Sequence, residues 1–130
     1  MKLFLCTNMS TSNKRLVEKV LEMFANNNYD EYLNYLDENI KWNIIGMPVI
    51  SGKMEFLKAV KSLELENFIS SNIKNIISDS EFVVIESNGG NNEQKEKPDI
   101  PAYCNIYRLK NGKICELTSY IVDTSSSNEY

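Results

Sequence analysis

The chain has 130 residues, 42% apolar and 25% charged, with 18 acidic side chains against 14 basic ones, a net charge of −4 and no histidine. A chain of this length buries roughly two-thirds of the surface its unfolded form exposes, so it is expected to fold as one soluble domain without a metal or disulfide, and its scattered Lys and Arg build no basic field for nucleic acid. Without histidine, a Ser-His-Asp or Cys-His nucleophile, a histidine base and a histidine metal site are excluded, which leaves carboxylates, Tyr, Lys, Cys and backbone groups for any chemistry.

The start of the chain carries an apolar run of four residues, Leu3 to Cys6. That is short of the ~7 to 15 of a signal-peptide core, and no window approaches the ~20 of a membrane span. A cytoplasmic protein with no membrane partner is expected, with residues 1–12 as a flexible lead-in. Ser10-Thr11-Ser12-Asn13 offers N-caps for a first helix that carries Leu16, Val17, Val20, Leu21 and Phe24 on one face. Asn26-Asn27-Asn28 ends it, because Asn tolerates the left-handed conformation. Asn28 with Glu31 reads as a capping box for a short second helix that buries Tyr32, Leu33 and Leu36. Ile40 to Ile45, stopped by Gly46 and Pro48, reads as a strand, and Ser51-Gly52 opens a third helix with Phe56, Leu57, Val60 and Leu63 inward.

Beyond that helix the apolar period changes from 3.6 to 2. Phe68-Ile69, Ile73 to Ile77, Glu81 to Ser87, Ala102 to Leu109 and Lys113 to Val122 are strand candidates. Helices followed by strands give an α+β domain with an antiparallel sheet covered on one face. Residues 88–99 hold two glycines, a proline, several charges and no apolar side chain to bury, and are expected as a mobile loop; 124–130 form a polar tail. Cys6, Cys104 and Cys115 are odd in number and lack CxxC spacing, against a disulfide scaffold or zinc site. Cys104 and Cys115 fall several residues apart along the predicted hairpin, beyond the ~7 Å reach of a disulfide. Both read as small buried hydrophobes.

In this order the elements resemble the nuclear-transport-factor-like superfamily, which includes the SnoaL-like polyketide cyclases and the ketosteroid isomerases. The resemblance spans about Arg15 to Asp123. It is carried by Asn27-Asn28 with Glu31, Leu33 and Leu36, by Asp37-Glu38-Asn39-Ile40-Lys41-Trp42, by Met47-Pro48 through Ser51-Gly52-Lys53, by Asn111-Gly112-Lys113-Ile114 and by Tyr120 to Asp123. It implies a cone-shaped, strongly curved sheet, with the three helices of the N-terminal half packed on its inner face. It also implies a pocket inside the cone and a homodimer through the outer face. The family hosts isomerases, cyclases, hydrolases and members that only associate, so the fold leaves the activity open.

In the ketosteroid isomerase pattern a Tyr and a protonated Asp hold an oxyanion and a second Asp is the base. Those positions fall on Val20, Asn105 and Ile44, so a ketosteroid isomerase of the usual design is not expected. Asn105 can still donate to a ligand oxygen, or be satisfied by a neighbour. A two-residue Asn111-Gly112 turn would put it on one face with Glu116, Thr118 and Tyr120. A three-residue loop would put it with Leu117, Ser119, Ile121 and Asp123, as the resemblance implies. The ligand-binding lining is then Trp42, Ile44, Tyr103, Asn105, Tyr107, Leu117, Ser119 and Ile121, mostly apolar with a few polar groups. Asp123 is the one carboxylate on it, either a catalytic acid or base raised by desolvation or a solvated strand end.

Two functions follow. One is a small-molecule-binding domain for a small apolar molecule, with isomerase-, cyclase- or hydrolase-type chemistry on Asp123 left open and no cofactor called for. The other is a non-catalytic homodimeric association module with a vestigial pocket. Ile106 against Tyr107, and Tyr120 against Ile121, place apolar or aromatic side chains on both faces of the sheet, so a second copy is expected over the outer one.

Overall fold

The first helix, α1 (Lys2–Ala25), reaches back across the segment expected as a lead-in, so the residues expected to cap it lie within it. Two of them work at longer range. Ser10 Oγ donates to the carbonyl of Ser78 at 3.0 Å, and Asn13 Nδ2 donates to the carbonyl of Ser80 at 3.1 Å. Asn13 is only 9% exposed, and the carbonyls of a distant turn satisfy a polar side chain that would otherwise be costly to bury. The computed structural model describes residues 2–62, 73–89 and 101–122. Leu63, the Phe68-Ile69 strand candidate, residues 90–99 of the expected loop and the 124–130 tail lie outside them.

α1 ends as its asparagines suggest. Asn27 adopts φ +58°, its N–H donates to the Phe24 carbonyl at 3.1 Å, and that of Asn28 donates to Met23 at 2.8 Å. This pair of bonds closes a Schellman cap with Asn27 at the left-handed position. The next helix, α2 (Tyr29–Leu33), has no side-chain cap on its backbone; Asn28 Nδ2 donates instead to Glu31 Oε2 at 2.8 Å. Bonds from the N–H groups of Asn34 and Tyr35 to the carbonyls of Glu31 and Tyr32 tighten and end α2. Leu36, expected on this helix, therefore opens β1 (Leu36–Ile44), where it is fully buried. Ile45, expected in that strand, lies in the following turn and is 49% exposed.

β2 (Ile50–Ser51) is a short edge strand that the sequence pattern did not reveal. α3 (Lys53–Ser62) follows Gly52, which sits at φ +91° and accepts the first helical bond from Phe56 at 3.0 Å. Then come β3 (Ile73–Ser78), β4 (Phe82–Ser87), β5 (Ala102–Lys110) and β6 (Lys113–Val122). The six strands form one curved, open sheet in the order β2-β1-β6-β5-β4-β3. Four neighbouring pairs are antiparallel, and β1 with β6 is parallel, with Trp42 beside Leu117 and Ile44 beside Ser119. The expected all-antiparallel sheet is thus mixed at one seam, because β1 reaches the sheet from the helical half rather than through a hairpin with β6.

The three helices cover the inner face. Val17, Val20 and Phe24 of α1, Tyr32 of α2 and Phe56 and Val60 of α3 join Leu36, Ile40, Trp42, Val83, Ile85, Tyr107 and Leu117 of the sheet in one core.

The β5–β6 hairpin combines features of both expected registers. Asn111 and Gly112 have φ +54° and +74°, and Lys110 pairs with Lys113, so the loop is a two-residue turn of the I′ kind. The register then slips: Leu109 pairs with Ile114, but Arg108 pairs with Glu116. Cys115 is the extra residue of a β-bulge, and its thiol donates to the Arg108 carbonyl at 3.4 Å. Cys104 and Cys115 are both free, and burial pushes the Cys115 thiol up, away from a reactive thiolate.

Candidate functional site

The alternation of β5 turns Tyr103, Asn105 and Tyr107 to the inner face, and the Cys115 bulge brings Leu117, Ser119 and Ile121 of β6 alongside them. Trp42 joins from β1 through the parallel seam. Above this strip lie Val20, Leu21 and Phe24 of α1, Tyr32 of α2 and Phe56 and Val60 of α3. These thirteen residues line a cavity of about 60 Å³.

Seven of the eight residues expected as ligand-binding therefore line one cavity; Ile44 does not. It shares the inner face and is buried, but as the last residue of β1 it lies one pleat beyond Trp42, outside the enclosure. Asp123 lies outside the described residues. The helical contributors were legible as apolar faces, but nothing in their spacing separates a residue that fills the core from one that faces a void within it.

The lining is aromatic and uncharged. Ring centroids step from Phe24 to Tyr32 at 5.6 Å, from Tyr32 to Phe56 at 5.9 Å and from Phe56 to Trp42 at 4.8 Å. None of the described lining residues is Asp, Glu, Lys or Arg. At the floor, the indole Nε1–H of Trp42 donates to Ser119 Oγ at 2.9 Å, which satisfies the one polar atom of a ring only 3% exposed.

Burial pushes the phenols of Tyr32 and Tyr107 well above their ordinary value. The Tyr107 phenol adds to the shift at Tyr32, and Tyr103 adds to it at Tyr107, where the Asn105 side chain opposes it. These tyrosines are protonated throughout the physiological range and act as hydrogen-bond donors rather than bases. Two of the positions that the resemblance marks as catalytic, Val20 and Asn105, lie on the cavity wall, and neither carries an acid. Among the described residues no cluster of three or more His, Cys, Asp or Glu could hold a metal, and no helix is long and apolar enough to cross a membrane. The arrangement can seat a small uncharged molecule against an aromatic wall and offer it a few hydrogen bonds.

Residues 17–117 match the family model of the SnoaL-like domain. No curated protein matches the chain. Among solved structures, an NTF2-like protein of unknown function from Cytophaga hutchinsonii is 23% identical, with 84% of this chain and 98% of that one covered at a TM-score of 0.63. Bal32a, from a soil-derived mobile gene cassette, is 15% identical over 88% and 92% of the two chains, at 0.70. An NTF2-like protein of unknown function from Burkholderia pseudomallei is 12% identical over 85% and 90%, at 0.68. At these identities the likeness is one of fold.

Proposed function

The chain belongs to the SnoaL-like domain family, and from that premise we propose that it binds a small apolar molecule in the cavity between the aromatic wall and the Trp42–Ser119 floor. The observation that carries this reading is the lining itself: helices from one half of the chain and strands from the other converge on a space with no charged side chain among the described residues. A void in a well-packed core is unfavourable unless something fills it.

Any isomerase-, cyclase- or hydrolase-type step is assigned to Asp123. It directly follows the end of β6, in the same parity as Leu117, Ser119 and Ile121. With Ile44 and Asn105 where acids would stand, an unsaturated ketosteroid is expected not to isomerise at enzymatic rates.

The test is a screen of small apolar compounds against the full chain, read on the single indole N–H resonance, since Trp42 is the only tryptophan. Binders should shift that resonance together with amides around Tyr107 and Ser119. Compounds that perturb only the outer face, or none at all, would move the function to the association reading. The close packing of Phe56 on Trp42 favours that second reading, because it keeps the cavity small.

Under either reading two copies meet through the outer sheet face. Ile77, Val84, Ile106 and Thr118 follow one another across four strands there. Ile77 and Val122 are 63% and 60% exposed. Apolar rows of this kind are stable in water when a partner covers them.

A further inference from the structure

The sequence holds two Asn-Gly pairs, Asn88-Gly89 and Asn111-Gly112. In such a pair the glycine amide nitrogen can attack the asparagine side-chain carbonyl, because a residue without a Cβ leaves that approach open and lets the backbone turn into it. The structure treats the two pairs differently. Gly89 is buried and its N–H donates to Ser87 Oγ at 3.2 Å, so its nitrogen is held in place and shielded from the base that must take its proton. Asn111 and Gly112 are exposed at the tip of the β5–β6 hairpin, and the space where a Cβ of Gly112 would lie is empty to 4 Å. Among the described residues no hydrogen bond engages the Asn111 side chain or the Gly112 N–H. The flanking charges separate the pairs further. Lys110 pairs with Lys113 across the turn, so two exposed ammonium groups bracket Asn111. Like charges directly opposite weaken the end of the ladder. The same two charges stabilise the oxyanion that develops on the Asn111 side-chain carbonyl as the amide nitrogen adds. The nearest charge before Asn88 is the Glu86 carboxylate.

We propose that Asn111 is a site of self-modification, a spontaneous deamidation that loosens the hairpin. The Gly112 amide nitrogen gives its proton to solvent and bonds to the Asn111 side-chain carbonyl carbon. The bond from that carbon to the side-chain nitrogen breaks, and the nitrogen takes a proton from water and leaves as ammonia. Water then opens the cyclic imide at one carbonyl or the other, giving aspartate or isoaspartate at position 111; nothing is oxidised or reduced. Either product adds one negative charge to a chain at −4. Isoaspartate also routes the backbone through the former side chain, one carbon longer, in a loop whose two residues sit at φ +54° and +74°. A two-residue turn of this kind has no slack for the extra atom. Lys110 and Lys113 then part, and β6 loses its tether just before the Cys115 bulge that sets its register.

The experiment ages the full chain at mildly alkaline pH and cleaves it at glutamates, which puts the two pairs in separate peptides, 87–93 and 97–116. Mass spectrometry follows the change of amide to acid, and enzymatic methylation of isoaspartyl carboxylates gives the isomerised share. Position 111 is expected to convert about tenfold faster than position 88, the factor that one buried hydrogen bond on the competing nitrogen gives. That preference should shrink in guanidinium, where the bond is gone. Lys110→Gln combined with Lys113→Gln should slow conversion at 111 about threefold, and high salt should slow the wild type by a similar factor. Asn111→Gly keeps a turn of the same kind and cannot convert. Its hydrogen-exchange pattern should be the same fresh and aged, whereas the aged wild type should lose protection at the turn end of the β5–β6 ladder. Faster conversion at 88, or none at 111 over a period that converts the unfolded chain, overturns the inference. A rate indifferent to both lysines and salt overturns their part in it, and an isoaspartate-bearing chain with undiminished protection overturns the loosening of the hairpin.

Discussion

Asn105 stands directly across the β5–β6 ladder from Ser119, a pairing that the two-residue turn at Asn111-Gly112 would not give on its own. An unbroken ladder from Lys110–Lys113 would set Asn105 against Thr118 and turn Glu116, Thr118 and Tyr120 to the core. The extra residue at Cys115 restores the face. Deleting Cys115 should therefore leave a regular ladder in which Glu116 still faces Arg108 and Leu117 still faces Tyr107, so every later β6 side chain keeps its face and the variant should retain a cooperative urea transition. Loss of that transition would mean that the hairpin needs the bulge itself and not only the register it sets.

The Trp42–Ser119 bond is buried at both ends. Ser119→Ala leaves the indole N–H without an acceptor and should lower stability by about 1–3 kcal/mol. Trp42→Phe removes the donor. In the double variant the serine loss should cost about 1 kcal/mol less than it does alone, because no orphaned N–H is left behind. Urea unfolding of the four proteins, followed by far-UV circular dichroism, gives the cycle.

Asn13 ties α1 to the β3–β4 turn through the Ser80 carbonyl, and more weakly through that of Asp79 at 3.5 Å. Asn13→Ala should cost about 1–2 kcal/mol. Asn13→Asp should cost more, since it removes the donor and sets a carboxylate against carbonyl oxygens. Equal midpoints for these two variants would show that the amide hydrogens are not what holds the turn.

The same turn carries a pH dependence. The Asp79 carboxylate accepts from the backbone N–H groups of Phe82 at 2.7 Å and Glu81 at 2.8 Å, which hold its pKa below the ordinary 3.8. The unfolded chain therefore binds the proton first as pH falls, so this contribution is complete above the unfolded value and is lost as pH drops through the folded one. Between about pH 5 and pH 2 the wild type should lose more stability than Asp79→Ala. Parallel loss in the two proteins would remove Asp79 from the acid response.

For the outer face, light scattering at micromolar concentration should give twice the 15.0 kDa of one chain. Ile77→Lys, on the exposed row, should shift the protein toward the single-chain mass without changing its circular dichroism. A wild-type mass of one chain would leave the apolar row without the proposed cover.

The sequence revealed most where a residue's own conformational preference decides the outcome. Asn27 and Gly112 take the left-handed backbone at the places their chemistry favours, and the alternation of Tyr103, Asn105 and Tyr107 gives the inner face of β5 directly. It revealed less where distant groups decide. Ser10 and Asn13 read as caps because capping is local, whereas their partners lie 66 to 68 residues away. The bulge at Cys115 carries no local mark, since a cysteine fits a strand as well as a bulge. Ile44 has the composition and parity of a lining residue; only the place where β1 stops takes it out of the cavity. The helical half of the wall was visible as core but not as site, because an apolar stripe looks the same against a side chain and against a ligand.

The parallel seam between β1 and β6 also bears on how the chain comes to be folded as it is made. Ile44 must wait for Ser119, 75 positions later in the chain. At about 5–20 residues per second of synthesis, that leaves the inner edge of β1, Trp42 included, without its neighbour for several seconds. Contacts this remote also slow the search once the chain is free. The helices can gather early around β1, but the sheet cannot join across its centre until β6 has emerged, so the aromatic wall is assembled around an open slot into which the last described strand inserts.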